Sequence, residues 1–437
     1  MKKIFSLLLV IAILLIPMTA MADDGVIEIT IPSYRTGENV GAIFFLPQIE
    51  RFNAKYEGKY HVVIEEINEQ TYGEKMRQLA MQGKLPPIIS GGCDDTFMTE
   101  VAIPNNMFRD LTPFLAAHPE IDELIPDYQR EYNTTADGKY VSIGTNVVRP
   151  TSMYYNSALT NFTKEPGEYA DWDELLADFG DNKIAFMTGE NAWTSALVIS
   201  AIFGLNDEAV EVLREHCYND NKMTDWTASY FVEGFAKFAE IYQKYGTSNT
   251  IGAVYADAAN DFMSNGSAII ANGPWMAGDF SAANGTDKWS NDFDGSTVVG
   301  AVFPGNIALS NPTGGTGWWI PSTISEEEAE AAEALLAFMC SKEEVSLFVL
   351  AEGGNPANFV MDEAIYDQMA IDNPTLASYT KAANPETKMV PSILDAMPSS
   401  VASTTFGAML PQLLDGTVTA EQFCANLSQA CVEAIED

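Results

Sequence analysis

Between Val26 and Ser90 the spacing of apolar residues switches repeatedly between a period of two and a helical period. Ile27, Ile29 and Ile31 alternate with polar residues, so Val26 to Ile31 reads as a strand. Ile43 to Tyr56 reads as a helix, with Phe45, Ile49 and Phe52 on one face. A second strand is expected over Tyr60 to Ile67, a helix through Tyr72 to Met81, and a third strand entered by Pro86-Pro87-Ile88-Ile89 and ended by Ser90-Gly91-Gly92. Strand, helix, strand, helix, strand is the start of a doubly wound α/β sheet, in which ligands collect at the carboxyl ends of strands. Further strands are expected at Tyr140 to Val148, Lys183 to Met187, Ser267 to Ala271 and Thr297 to Phe303. Helix starts are marked by the capping-box spacing at Asp171-Trp172-Asp173-Glu174, Ser325-Glu326-Glu327-Glu328 and Thr419-Ala420-Glu421-Gln422. No repeat and no Pro/Ser-rich linker divides the chain, so lobes crossed more than once by the backbone are expected.

The chain has 437 residues with 61 acidic, 23 basic and only 3 histidine residues, a formal charge of −38. Such acidity excludes a nucleic-acid partner, because a phosphate backbone requires a basic footprint. Long-range attraction to anionic ligands is disfavoured too, although a local basic pocket can hold one acid group. Residues 1–22 have the layout of a secretory signal: Lys2-Lys3, an apolar run from Ile4 to Ile16, and Ala20-Met21-Ala22 before the expected cleavage site. The first cysteine is Cys93, so no lipid-bearing N-terminus is expected; the protein is expected outside the cytoplasmic membrane, periplasmic or secreted. Five cysteines are too few for a disulfide scaffold. Cys424 and Cys431 lie about 10 Å apart along a helix axis, beyond disulfide reach, and buried free thiols are expected. Neither a zinc site nor any cofactor is expected, and Asp292-Phe293-Asp294-Gly295 lacks the full spacing of a calcium loop. No phosphate-binding P-loop and no G-x-S-x-G elbow occurs.

Five segments, in order, resemble the solute-binding proteins of ABC importers, in particular the maltose-binding-like (family 1) carbohydrate-recognising group. They are Ser152-Met153-Tyr154-Tyr155-Asn156, Asp171-Trp172-Asp173-Glu174-Leu175, Phe262 to Trp275, Gly314-Gly315-Thr316-Gly317-Trp318-Trp319-Ile320, and Leu414-Asp415-Gly416-Thr417-Val418-Thr419. The resemblance implies an α/β, two-lobed periplasmic-binding-protein fold of type II, with a hinge crossed about three times and the ligand between the lobes. By position, lobe one would hold 23–148 and a return segment 316–358; lobe two would hold 149–315 and the C-terminal helical part 359–437. The implied activity is non-catalytic capture of a sugar or oligosaccharide by lobe closure and delivery to a membrane permease, the protein acting as a monomer. The competing readings are a secreted glycoside hydrolase with paired cleft carboxylates, or the same fold serving an acidic sugar, a polyamine or a sugar phosphate.

A sugar site needs aromatic faces and planar hydrogen-bonding groups. Trp275 matches the family's stacking tryptophan. Trp193 and Glu190 fall where the family places an aromatic and a polar contact. Of the adjacent Trp318 and Trp319, one should face the cleft and the other the core, and Trp318 is the expected cleft residue. Asp94 and Asp95 follow the third strand's glycines, where the family carries a sugar-binding acid. Arg149, at the expected first crossing, departs from an acid there; it could fork to hydroxyls, pair with Asp94, or hold a uronate carboxylate. Tyr34 and Arg35 follow the first strand and could line the cleft from lobe one, and Phe406 is a candidate aromatic wall. Gly91-Gly92 stand where relatives carry an aromatic, so stacking from lobe one would fall to Tyr34.

Overall fold

The computed structural model describes residues 25–37, 41–90, 97–144, 146–218, 222–247, 250–311 and 317–436. β1 (Ile27–Ser33) and β2 (Tyr60–Glu66) pair in parallel across α1 (Ala42–Lys55), with Ile27 opposite Tyr60. The expected periodicity has its physical outcome here: Phe45, Ile49 and Phe52 are buried on one side of α1. α2 (Glu69–Met81) follows, then β3 (Ile89–Ser90). The third strand does not extend the parallel pair by a ladder. It pairs antiparallel with a strand from far along the chain, β10 (Trp318–Trp319).

The chain leaves this region through β4 (Val147–Val148), two residues long. The continuous strand expected over Tyr140 to Val148 is broken, because Asn146 sits at φ 56 in the left-handed region and interrupts the extended backbone. Tyr140 and Ile143 make isolated bridges to Thr134 and Trp318 instead. Beyond the break lies a four-stranded mixed sheet in the order β6-β7-β5-β8. It comprises β5 (Ser152–Asn156), β6 (Ile184–Ala185), β7 (Ile269–Asn272) and β8 (Val298–Ala301), with α3 (Trp193–Phe203) between β6 and β7 in sequence. β9 (Ile307–Leu309) pairs in parallel with β12 (Lys388–Val390).

Buried apolar residues separate into two territories. Two clusters join residues 27–143 with 318–340, around Phe45, Ile143 and Leu335 in one and Tyr72, Phe97 and Trp319 in the other. Two others join residues 147–309 with the chain from Val349 onward. The return segment is anchored by α4 (Glu326–Met339), whose Ser325 cap and Glu328 form the expected capping box and whose Leu335, Leu336 and Met339 are buried. α5 (Lys342–Glu352) is shared between the territories. Its Glu344 reaches back to α1, accepting from Arg51 Nε at 2.8 Å and Arg51 Nη2 at 2.6 Å. Its Val349 belongs to the second territory. The chain then returns through β11 (Asn355–Pro356), antiparallel to β4 with Asn355 opposite Val148. Among the described residues no helix is long and apolar enough to cross a membrane.

Candidate functional site

Two crossing strands lying side by side put one arginine between the two cores. Arg149, next after β4, donates from Nη2 to the Glu352 backbone oxygen at 2.9 Å and to Glu352 Oε2 at 3.0 Å. The Glu352 side chain is 4% exposed and that of Arg149 21%, so this is a hinge ion pair shielded from water rather than a surface pair. The guanidinium carbon lies 5.0 Å from the Phe348 ring centre and 5.3 Å from that of Trp275. Burial lowers the Arg149 proton affinity, Glu352 opposes that, and the positive charge of Arg35 lowers it further. Nε of Arg149 is buried and has no hydrogen-bond partner.

Trp275 is placed by the end of β7. Tyr379 donates from its hydroxyl to the Asn272 carbonyl at 2.7 Å and accepts from the Ser152 amide at 2.7 Å, fixing that strand tip to β5. Pro274–Phe280 then form a tight helical turn, and the Trp275 ring folds back over Gly273, where a Cβ would sit 2.3 Å from the indole. Only glycine leaves room for that ring. The indole is half-buried against the second territory, not freely projecting. It meets Trp193 at 5.7 Å between ring centres and a 34° tilt. Trp193 in turn is held by the start of α3, where Thr194 Oγ1 accepts from the Met187 amide at 3.0 Å and Ser195 Oγ donates to the Met187 carbonyl at 2.6 Å. Tyr255 extends the aromatic wall, 6.4 Å from Trp193, and its hydroxyl accepts from Asn272 Nδ2 at 3.1 Å.

From the first territory come Tyr34 and Arg35, both half-buried just beyond β1. Tyr34 meets Tyr72 edge-on at 5.7 Å. The Arg35 guanidinium lies 5.6 Å from the Tyr34 ring and 5.5 Å from the Trp318 ring. The structure thus gathers Trp275, Trp193, Arg149, Tyr34 and Arg35 about the crossing.

Trp318 is not an open cleft wall. It is 6% exposed and stacks on Phe45 at 5.7 Å and 12°. Its partner Trp319 is also buried, against Phe97 at 6.1 Å. β10 is an interior strand covered on both faces, so alternation sends its two indoles into two cores rather than one into solvent. Phe406 is likewise core, 0% exposed and 6.3 Å from Phe423, because its helix is packed against the C-terminal helix. Glu190 is exposed at φ 50, with its backbone carbonyl against Gly407, and its carboxylate makes no ion pair among the described residues. Asp94, Asp95, the paired glycines at 91–92 and residues 314–316, the first part of the second crossing expected near Gly314 to Trp318, lie outside the described residues. The sequence gives no local signal of the place of Tyr255, Phe348 or Glu352, each of which sits on a helix. No group of three or more His, Cys, Asp or Glu side chains suited to a metal ion occurs among the described residues. Asp294, in the acidic run, caps a turn through the Ser296 amide at 2.9 Å.

The family model for bacterial extracellular solute-binding proteins matches residues 48–377. The chain belongs to that family. Its members are exported binding proteins. The fold is shared with a chitin oligosaccharide binding protein, at 18% identity and a TM-score of 0.71, covering 94% of this chain and 99% of that one. A Streptococcus pneumoniae solute-binding protein in complex with the blood group A-trisaccharide aligns at 17% identity and 0.67, covering 93% and 99%. The sugar-binding protein MalE from Xanthomonas citri aligns at 15% and 0.65, covering 94% and 97%. These neighbours are two-lobed solute-binding proteins. A comparison with curated proteins finds no match.

Proposed function

We infer that this solute-binding protein captures a sugar or oligosaccharide between its lobes and hands it unaltered to the membrane permease of an ABC importer. The observation that carries this reading is the aromatic wall of Trp193 and Trp275 beside the Arg149 hinge, where two separate cores meet. Indole faces suit the C–H faces of a pyranose, and a guanidinium supplies directional donors to hydroxyls. The chitin oligosaccharide binding protein and the complex with the blood group A-trisaccharide support the same ligand class. Closure would be driven only by contacts the ligand gains in the closed state. Lobes of 23–148 with 316–358, and of 149–315 with 359–437, are adopted with α5 as the shared element. Glu352, the carboxylate nearest Arg149, is held in an ion pair, which suits a binder better than an acid catalyst.

A thermal-shift screen of the exported protein against mono- and oligosaccharides, with amino acids, polyamines and sugar phosphates as controls, tests this. A rise in melting temperature confined to saccharides is expected, with no release of chromophore from aryl glycosides. Stabilisation by a control class alone, or turnover of a glycoside, would replace the reading.

A further inference from the structure

The two arginines at the crossing differ in one decisive respect. Arg149 is neutralised by Glu352. The Arg35 side chain has no carboxylate partner among the described residues. Its guanidinium is instead held over two rings, Tyr34 and Trp318. Its stem packs at the start of α1, 3.3 Å from where a Gly41 Cβ would stand, and the first turn of that helix carries no acid. Gly41 lies at φ 81, a backbone conformation that favours glycine, and a side chain there would also crowd the Arg35 stem. Arg35 and Arg149 are near enough for the first charge to disfavour the second. With Arg149 already paired to Glu352, the Arg35 charge is the one left without a carboxylate among the described residues, so an anion arriving beside it is favoured. The unpartnered Nε of Arg149 is a further donor at that place.

We propose that the saccharide taken by this cleft bears a carboxylate, as a hexuronic acid does, and that Arg35 grips it. This rests on the sugar-binding reading. The planar guanidinium offers the fork geometry that a carboxylate accepts, while the indoles of Trp193 and Trp275 take the ring face. The local charge of Arg35 offsets the repulsion that the acidic surface exerts on an anion, and so binding should weaken as salt rises.

Calorimetric titration of the full exported chain decides the matter. The probes are glucuronic and galacturonic acids and their di- and trisaccharides, the matching neutral glucose and galactose oligomers, and glutarate as a carboxylate without a sugar. At least one acidic saccharide should bind about 10-fold or more tighter than its neutral counterpart. Arg35→Gln should weaken that acidic ligand by about 10- to 100-fold, the range for a lost charge-assisted pair, and weaken neutral oligomers by clearly less. Arg35→Lys should fall between, keeping charge but losing the fork. Equal or tighter binding of neutral oligomers, or equal losses on both classes in Arg35→Gln, overturns the proposal and leaves the sugar reading standing. Binding of glutarate as tight as that of the acidic saccharides overturns it as well. No binding by any saccharide removes the sugar reading itself.

Discussion

Trp275 has two duties that its position in the chain cannot separate. It closes over Gly273 and touches Trp193, and it lies beneath the Arg149 guanidinium. Trp275→Ala should therefore cost about 1–3 kcal/mol of folding stability through lost packing, less than a fully buried tryptophan. It should abolish saccharide binding by calorimetry. Retention of wild-type affinity would move the ligand elsewhere. Asp261 gives a pH signature at the same scale. Its carboxyl is half-buried, burial raises its pKa, and the Ser267 hydroxyl offsets this only in part. A raised folded-state value means that the native protein holds the proton more tightly than the unfolded chain. The group thus supports the fold below its unfolded value and loses that support as pH rises through the folded one. Asp261→Asn should raise the melting temperature at pH 7, and the gain should disappear near pH 3, where wild type is itself protonated. The four described cysteines are free and buried, and burial pushes Cys340 and Cys424 up to about 12 and Cys431 to about 11. Their thiolates are scarce at neutral pH, so they are structural rather than reactive.

At the scale of elements, α5 is the joint. Glu344 near its start accepts from Arg51 and, at 3.1 Å, from Gln48 on α1, while Glu352 at its end accepts from Arg149. One helix is clamped by buried carboxylates to both sides of the crossing. Removing a single partner leaves a buried charge unpaired. Arg149→Met should thus cost about 3–5 kcal/mol in urea unfolding, whereas the double change Arg149→Met with Glu352→Gln should recover much of that loss. A loss as large in the double variant would show that packing on Phe348 and Trp275, rather than charge, is what Arg149 supplies. The neighbouring Gly353 and Gly354 have φ of 73 and 98, and a Cβ on Gly354 would lie 2.7 Å from the Val148 carbonyl oxygen. The return strand therefore passes the first crossing at a distance that only glycine permits.

For the molecule as a whole, two core territories meet at a pair of two-residue strands, the place about which the proposed closure would turn. Binding should shrink the radius of gyration in solution scattering on addition of a saccharide that raises the melting temperature, and Trp275→Ala should abolish the change. An unchanged radius with bound saccharide would mean that the lobes do not move.

Much of this was legible in the chain. The alternation of Ile27, Ile29 and Ile31, the Phe45-Ile49-Phe52 face, the capping boxes at Ser325 and Thr419 and the Asp171 side-chain cap are local, and hydrogen bonding within a few residues decides them. The ordered motifs around Asn156, Trp275 and Trp318 carried the family, and the family carried the fold. What tertiary structure alone decided is which side of each element meets another. Trp318 and Phe406 are aromatic in places that suit a ligand, yet both are enclosed by neighbours hundreds of residues distant or on separate helices. Arg149 meets Glu352, 203 positions away along the chain. Periodicity reports burial of a face; it holds no record of the partner, because the partner is fixed by packing among elements that are remote along the chain.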